Sequence, residues 1–261
     1  VRWQLNKRLL VGFLISIGVL APAIFVNRAQ VRAFVGHLPV VRQALQKKTI
    51  DEQISQYGSV ARQRLFQRFR DRGVSYPPDR VTLVAIKDQR ELQVYAAADP
   101  TDGSEPQYTH IWTYPIEGAS GNLGPKLREG DRQVPEGLYL IESLEPNTPY
   151  HLGLRVNYPN VFDLARAHED GRTKPGSDIL IHGSNCSIGC LAMGDEASED
   201  LFVLIHDSRE DKEPLIIAPV DFRKETLAAN KPEDPSWLAG LYEDIKQSLG
   251  KYPLPSSQKL N

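Results

Sequence analysis

A mainly β fold with few helices, a small sandwich or barrel, is what this sequence predicts, on three observations. From Val81 onward, short apolar runs recur with Gly, Pro and Asn clusters between them. Helical spacing of apolar residues is confined to the flanks of this region and to one segment after Gly194. A chain of 261 residues with 41 % apolar content can bury one good core and a small appended unit, but hardly two full domains.

In chain order, Arg2, Lys7 and Arg8 precede an uncharged stretch from Leu9 to Asn27. A spanning helix needs roughly 20 apolar residues and a signal-peptide core roughly 7 to 15, so residues 1–28 read as either an uncleaved anchor or a cleaved signal. Ala21-Pro22-Ala23 satisfies the small-residue cleavage rule, while Ile24, Phe25 and Val26 continue the apolar run past it. Basic residues ahead of such a run fit export better than a buried helix of the globular domain. The expectation is a membrane contact here and a catalytic part beyond it, in the cell envelope.

Residues 29–78 are polar and basic. Ile54, Tyr57, Ala61, Leu65 and Phe69 recur at three- and four-residue steps, which predicts an amphipathic helix ending near Gly73, a helical linker. Arg62, Arg64, Arg68, Arg70 and Arg72 make it strongly basic. A solvated helix packing one face on the domain accounts for this pattern; contact with anionic headgroups or an acidic wall polymer is the sharper alternative. Tyr76-Pro77-Pro78 is a stiff break.

Val81 to Ile86 and Leu92 to Tyr95 flank Asp88-Gln89-Arg90 as a hairpin, and Ile111 to Ile116, Leu138 to Ile141 and Leu152 to Val156 follow as strands. Leu201, Leu204 and Ile205 have helical spacing, with Asp195, Glu196 and Glu199 near the helix N-terminus where negative charge is favoured. Leu215 to Ile217 reads as a last strand, closed by Pro219. In residues 220–261, Trp237, Leu241 and Ile245 share a helical face, so this helical tail docks on the domain, and the end from Tyr252 is loose.

The net charge of -2 gives no global attraction to nucleic acid or to an anionic membrane, so partners are argued locally. Only two cysteines occur, Cys186 and Cys190, so there is no disulfide framework. Cys186 is expected to pack as a small core residue, in preference to a reactive thiol or a tight-loop disulfide with Cys190.

The stretch from Asp178 to Asp195 carries the chemistry. The apolar run Ile179 to Ile181 ends in His182, and a loop leads to Cys190. An imidazole can take the thiol proton, which matters because a thiol of pKa about 8.5 is only slightly ionised at neutral pH. The backbone N–H groups of Gly189 and Cys190 are the natural oxyanion donors, and Gly189 lets a carbonyl approach closely. A metal-binding or wall-binding module using His182, Cys186 and Cys190 is the competing class, although three ligands in one loop match no common zinc spacing.

Gly130-Asp131-Arg132-Gln133-Val134-Pro135-Glu136-Gly137-Leu138-Tyr139, Tyr150-His151-Leu152-Gly153-Leu154, Tyr158-Pro159-Asn160, Ile181-His182-Gly183 and Ser187-Ile188-Gly189-Cys190 resemble, in that order, the L,D-transpeptidase catalytic domain, or YkuD family, and its short-loop YafK-like branch most closely. The resemblance implies a β-sandwich-like catalytic domain over residues 79–219. It implies peptidoglycan stem peptides as substrate, with Cys190 as nucleophile, His182 as base, and no cofactor or metal. It further implies a ring-orienting carbonyl on Gly183 or Ser184 and a substrate wall that includes Tyr150, His151, Tyr158, Asn160 and Ser187. The acyl group passes to an amine or to water, so a hydrolase releasing a wall-linked protein or amine is the alternative. Most members carry histidine where this chain has Ile188, and many carry arginine or asparagine where it has Ala192.

Overall fold

The structure, a computed structural model, describes residues 47–256 except 209–211, 230 and 233. The expected export segment lies outside the described residues, among which no helix is long and apolar enough to cross a membrane.

Eight strands form one hydrogen-bonded order, β3-β2-β1-β8-β4-β5-β6-β7. They are β1 (Arg80–Ile86), β2 (Glu91–Ala97), β3 (Thr109–Pro115), β4 (Gly137–Thr148), β5 (His151–Val156), β6 (Leu180–His182), β7 (Leu191–Ala192) and β8 (Pro214–Ala218). Among the described residues, four helices accompany them: α1 (Ile50–Asp71), α2 (Val161–Glu169), α3 (Asp195–Asp207) and α4 (Leu238–Leu249). The long β4 serves both halves of the sheet. Gly137 to Leu140 pair with β8, and from Ile141, with an irregularity between Ile141 and Ser143, the strand pairs with β5. Such a break lets one strand change sheets in a sandwich.

Alternation along β1 shows how the layers are made. Leu83 and Ala85 join the larger core with α1, α3 and the β4–β7 half, while Val84 and Ile86 face a second core under α4. With both faces covered, β1 and β2 read as nearly continuous apolar runs. The tail helix docks through Leu241 and Ile245 as its periodicity predicts. The end is less loose than expected: Tyr252 is buried with its hydroxyl on Thr82, and the Pro253 carbonyl accepts from Tyr95 and Arg223.

Helix α1 begins with a capping box, Thr49 accepting from the Glu52 amide and Glu52 accepting from the Thr49 amide. It buries Ala61, Leu65 and Phe69, each large side chain being worth about 2 kcal/mol in area removed from water. Its arginines meet carboxylates of α3: Arg62 on Asp207, and Arg64 and Arg68 on the fully buried Asp200, which also accepts from Tyr114. This is the helix packing one face on the domain, with much of its basic charge turned inward. Helix α2 was not expected. Its start is fixed by a reciprocal cap between Asn160 and Asp163, a signal visible in the sequence as Asn-x-x-Asp.

Candidate active site

His182 ends β6 and is held on both sides. Its strand pairs with β5 (Gly153 opposite His182) and with β7 (Ala192 opposite His182). The side chain is buried, and Nδ1 lies 2.6 Å from the Gly183 carbonyl oxygen. A carbonyl can only accept, so Nδ1 carries the proton and Nε2 presents a lone pair. That Nε2 is buried with no hydrogen-bond partner. Burial pushes the imidazole below its ordinary pKa, opposed by the Gly183 carbonyl, so the ring is a neutral base. The Ser184 carbonyl is occupied by the Gly194 amide, and the Ser184 amide donates to Asp195, which leaves Gly183 as the ring-orienting group.

Gly183 itself is a packing requirement. A Cβ there would lie 2.7 Å from Asp195 Oδ1 and 2.8 Å from both His151 Cβ and the Tyr150 carbonyl oxygen. The turn between β4 and β5 therefore sits directly on the backbone that orients His182, and the Tyr150 ring stacks on the imidazole with centroids 4.6 Å apart.

Cys190 immediately precedes β7, with its thiol donating to the Asp178 carbonyl at 3.7 Å. Burial pushes the thiol above its ordinary pKa, and the Leu180 backbone amide pulls the other way. The sulfur and Nε2 are not hydrogen-bonded to each other. The Gly189 and Cys190 amides, expected to receive an oxyanion, both donate to Ser187 Oγ, at 3.3 and 3.0 Å, while Ser187 donates to the Cys190 carbonyl. Gly189 has φ +123°, which only glycine adopts readily, and this permits the turn into Cys190.

Other expected residues fall elsewhere. Tyr158 is buried, its hydroxyl 2.9 Å from the Pro175 carbonyl, and Asn160 is spent on capping α2 and on the Leu138 carbonyl. His151 faces Glu199 of α3, with Nε2 3.0 Å from Oε1. Cys186 overturns the packing expectation: it is exposed and free, because the 185–188 loop turns outward, and its thiol reaches only Asn185. Cys190 is also free. Among the described residues, no three His, Cys, Asp or Glu side chains gather as a metal-binding group, so His182, Cys186 and Cys190 do not form one. Ala192 is buried and bridged to Gly118, where a Cβ on the glycine would lie 3.2 Å from its own; a longer side chain would have little room.

Asp195 and Glu199, which meet the residues flanking His182 through Ser184 and His151, carry no site signal of their own in the sequence. Their four-residue spacing on α3 places both on one helical face, a signal read only as helix-terminal charge.

The chain was compared with known proteins. Over 127 residues the chain is 32 % identical to the protein named "Putative L,D-transpeptidase YafK" of Escherichia coli, strains K12 and O157:H7; the alignment covers 48 % of this chain and 47 % of that one. The chain thus spans about half the length of the curated relatives it matches. Among solved structures, the helical cell shape determining protein Pgp2 of Campylobacter jejuni, as its K307A mutant, is 21 % identical, covers 76 % of this chain and 61 % of its own, and has a TM-score of 0.44. Bd1075 of Bdellovibrio bacteriovorus is 20 % identical with a TM-score of 0.39, covering 68 % of this chain and 56 % of its own. The L,D-transpeptidase catalytic domain family, YkuD, matches residues 79–217, just over half of the sequence and a span that includes His182 and Cys190, and the chain belongs to that family.

Proposed function

We propose that this chain is a cysteine acyltransferase of the cell envelope that acts on peptidoglycan stem peptides through a thioester. The observation that supports it most is the state of His182: buried, protonated on Nδ1 by its contact with Gly183, bare on Nε2, and carried on a strand paired with the one that follows Cys190. A base whose lone pair is reserved for an incoming proton is what a neutral thiol requires.

In this reading, Cys190 Sγ attacks the carbonyl of the diaminopimelate residue at position three of the stem as its proton passes to His182 Nε2. The tetrahedral intermediate collapses, the C–N bond breaks, and the departing D-alanine amine takes that proton. An amine or water then attacks the thioester and restores the thiol. The Gly189 and Cys190 amides serve the oxyanion once Ser187 Oγ yields them. Substrate placement fits Tyr150 at the base better than Tyr158 or Asn160, which are engaged in packing and capping.

Transfer to water has its own support. Ile188 is 73 % exposed next to the Gly189-Cys190 turn, and Ala192 is buried, so neither offers a polar group to an amine acceptor. Mass spectrometry of a defined tetrapeptide muropeptide, with and without an amine acceptor, decides between cross-linking and release. Cys190→Ala abolishes turnover, His182→Ala lowers it by about 10²–10⁴-fold, and Cys186→Ser keeps most of it. Full activity in Cys190→Ala sinks the assignment.

A further inference from the structure

The residues around His182 raise the question of what keeps a bare, buried imidazole in one orientation. One hydrogen bond to Gly183 fixes Nδ1, which leaves rotation about that contact to be limited by packing. Its face is covered by Tyr150, at 4.6 Å and 27° between planes. Tyr150 sits in the two-residue turn between β4 and β5, and a hairpin tip is held by its strands only at one end.

The other end of the tip is held by His151. Its backbone has φ +73°, a left-handed conformation uncommon outside glycine, although histidine tolerates it better than most. Its side chain runs to α3, where Nε2 lies 3.0 Å from Glu199 Oε1; a carboxylate accepts, so Nε2 carries the proton. Glu199 is in turn 3.6 Å from Arg64 of α1. The imidazole meets the Tyr57 ring of α1 at a steep angle, centroids 5.0 Å apart and rings at 80°. The His151 Cβ and the Tyr150 carbonyl oxygen both border Gly183, the residue whose carbonyl holds His182, so closely that an added Cβ there would lie 2.8 Å from each. Helix α1, which lies upstream of the family-matched region, is therefore joined to the base through side chains.

We propose that His151 is a positioning residue: clamped to Glu199 of α3 and Tyr57 of α1, it fixes the β4–β5 turn so that Tyr150 stacks on His182 and the imidazole keeps its Nε2 toward the substrate side. The inference rests on the reading of His182 as the base. It assigns His151 a role other than substrate contact, and makes α1 part of the catalytic unit.

The test uses the full chain with Cys186→Ser, which removes the exposed second thiol. His151→Gly keeps the positive φ and deletes the clamp; Glu199→Leu deletes its anchor without touching the turn; Glu199→Gln keeps an acceptor oxygen and is the conservative variant. With a tetrapeptide muropeptide, His151→Gly and Glu199→Leu are expected to lower kcat about tenfold with KM within twofold, and Glu199→Gln to stay within threefold of the parent. In ¹⁵N-histidine NMR, which needs no substrate, the single Nδ1–H signature of His182 is expected to become a tautomer average in the first two variants and to survive in the third. A raised KM with unchanged kcat and an unchanged His182 signature overturns the proposal, and so does Glu199→Gln behaving like Glu199→Leu. Should His151→Gly fail to fold, the Glu199 pair alone decides. If the parent turns over no stem peptide while the His182 signature still depends on Glu199, the substrate assignment fails and the positioning role stands.

Discussion

The thiol of Cys190 donates to the carbonyl oxygen of Asp178 at 3.7 Å, and His182 Nε2, buried, accepts from nothing. The two groups are thus held as a neutral thiol and a neutral imidazole, not as an ion pair. Burial drives both in that direction, raising the thiol and lowering the imidazole.

This arrangement fixes a pH dependence. A lowered imidazole stays neutral to below its ordinary value of about 6.5, so the acid limb of kcat/KM is expected below pH 6.5. A raised thiol ionises only above its ordinary range, so alkylation of Cys190 by iodoacetamide, in a Cys186→Ser background, is expected to climb about tenfold per pH unit with no plateau below pH 9. A plateau near pH 7 would show a preformed thiolate pair.

Ser187 makes three hydrogen bonds within its own loop, accepting from the Gly189 and Cys190 amides and donating to the Cys190 carbonyl. Ser187→Ala loses all three and leaves partly buried backbone groups unpaired, a cost of about 1–2 kcal/mol. The expected result is a lowered thermal midpoint and a kcat reduced about tenfold. Ser187→Thr, which retains the hydroxyl, should restore most of both.

Gly183→Ala places a methyl within 2.8 Å of three atoms, one of them the Tyr150 backbone oxygen, which cannot swing aside as a side-chain tip can. Overpacking of this kind costs about 1–3 kcal/mol, and any relief must move either the hairpin turn or the strand bearing His182. Urea unfolding should show the loss, and kcat should fall more than the stability change alone would produce.

Much of the fold was legible in the sequence because its signals are local. The apolar runs of β1 and β2, the 3.6-residue stripe of α1 and the acidic start of α3 each need only neighbouring residues to be recognised. Helix α2 is hidden in the sequence because its cap, Asn160, sits in Tyr158-Pro159-Asn160, a stretch whose resemblance points to the cleft. At the site, His182 and Cys190 stood out by type and spacing. The Asp178 carbonyl, the Leu180 amide and the Glu199 carboxylate did not, because register between β6 and β7 and the packing of α3 on the β4–β5 turn bring them there. Cys186 was misplaced for the same reason: nothing in its neighbours says whether a loop turns outward.

Asp200 tests whether α1 is a linker or a structural part of the domain. Its carboxylate is fully buried and is shared by Arg64 and Arg68 of α1 and by Tyr114 of β3. Replacing a buried pair by apolar groups can be neutral, but removing one partner leaves charge without compensation and costs about 3–5 kcal/mol. Asp200→Ala strands Arg68, whose guanidinium also lies over Trp112 and Tyr114 and has little access to water. The expected outcome is a fall of about 3 kcal/mol in unfolding free energy by urea, with Asp200→Asn losing less because an amide oxygen still accepts. If α1 were only a tether, limited proteolysis of Asp200→Ala would cut α1 and leave the thermal midpoint of the rest unchanged. Because Leu65 and Phe69 of α1 lie in the same core as β1 and α3, the unfolding is expected to remain a single transition that carries α1 with it.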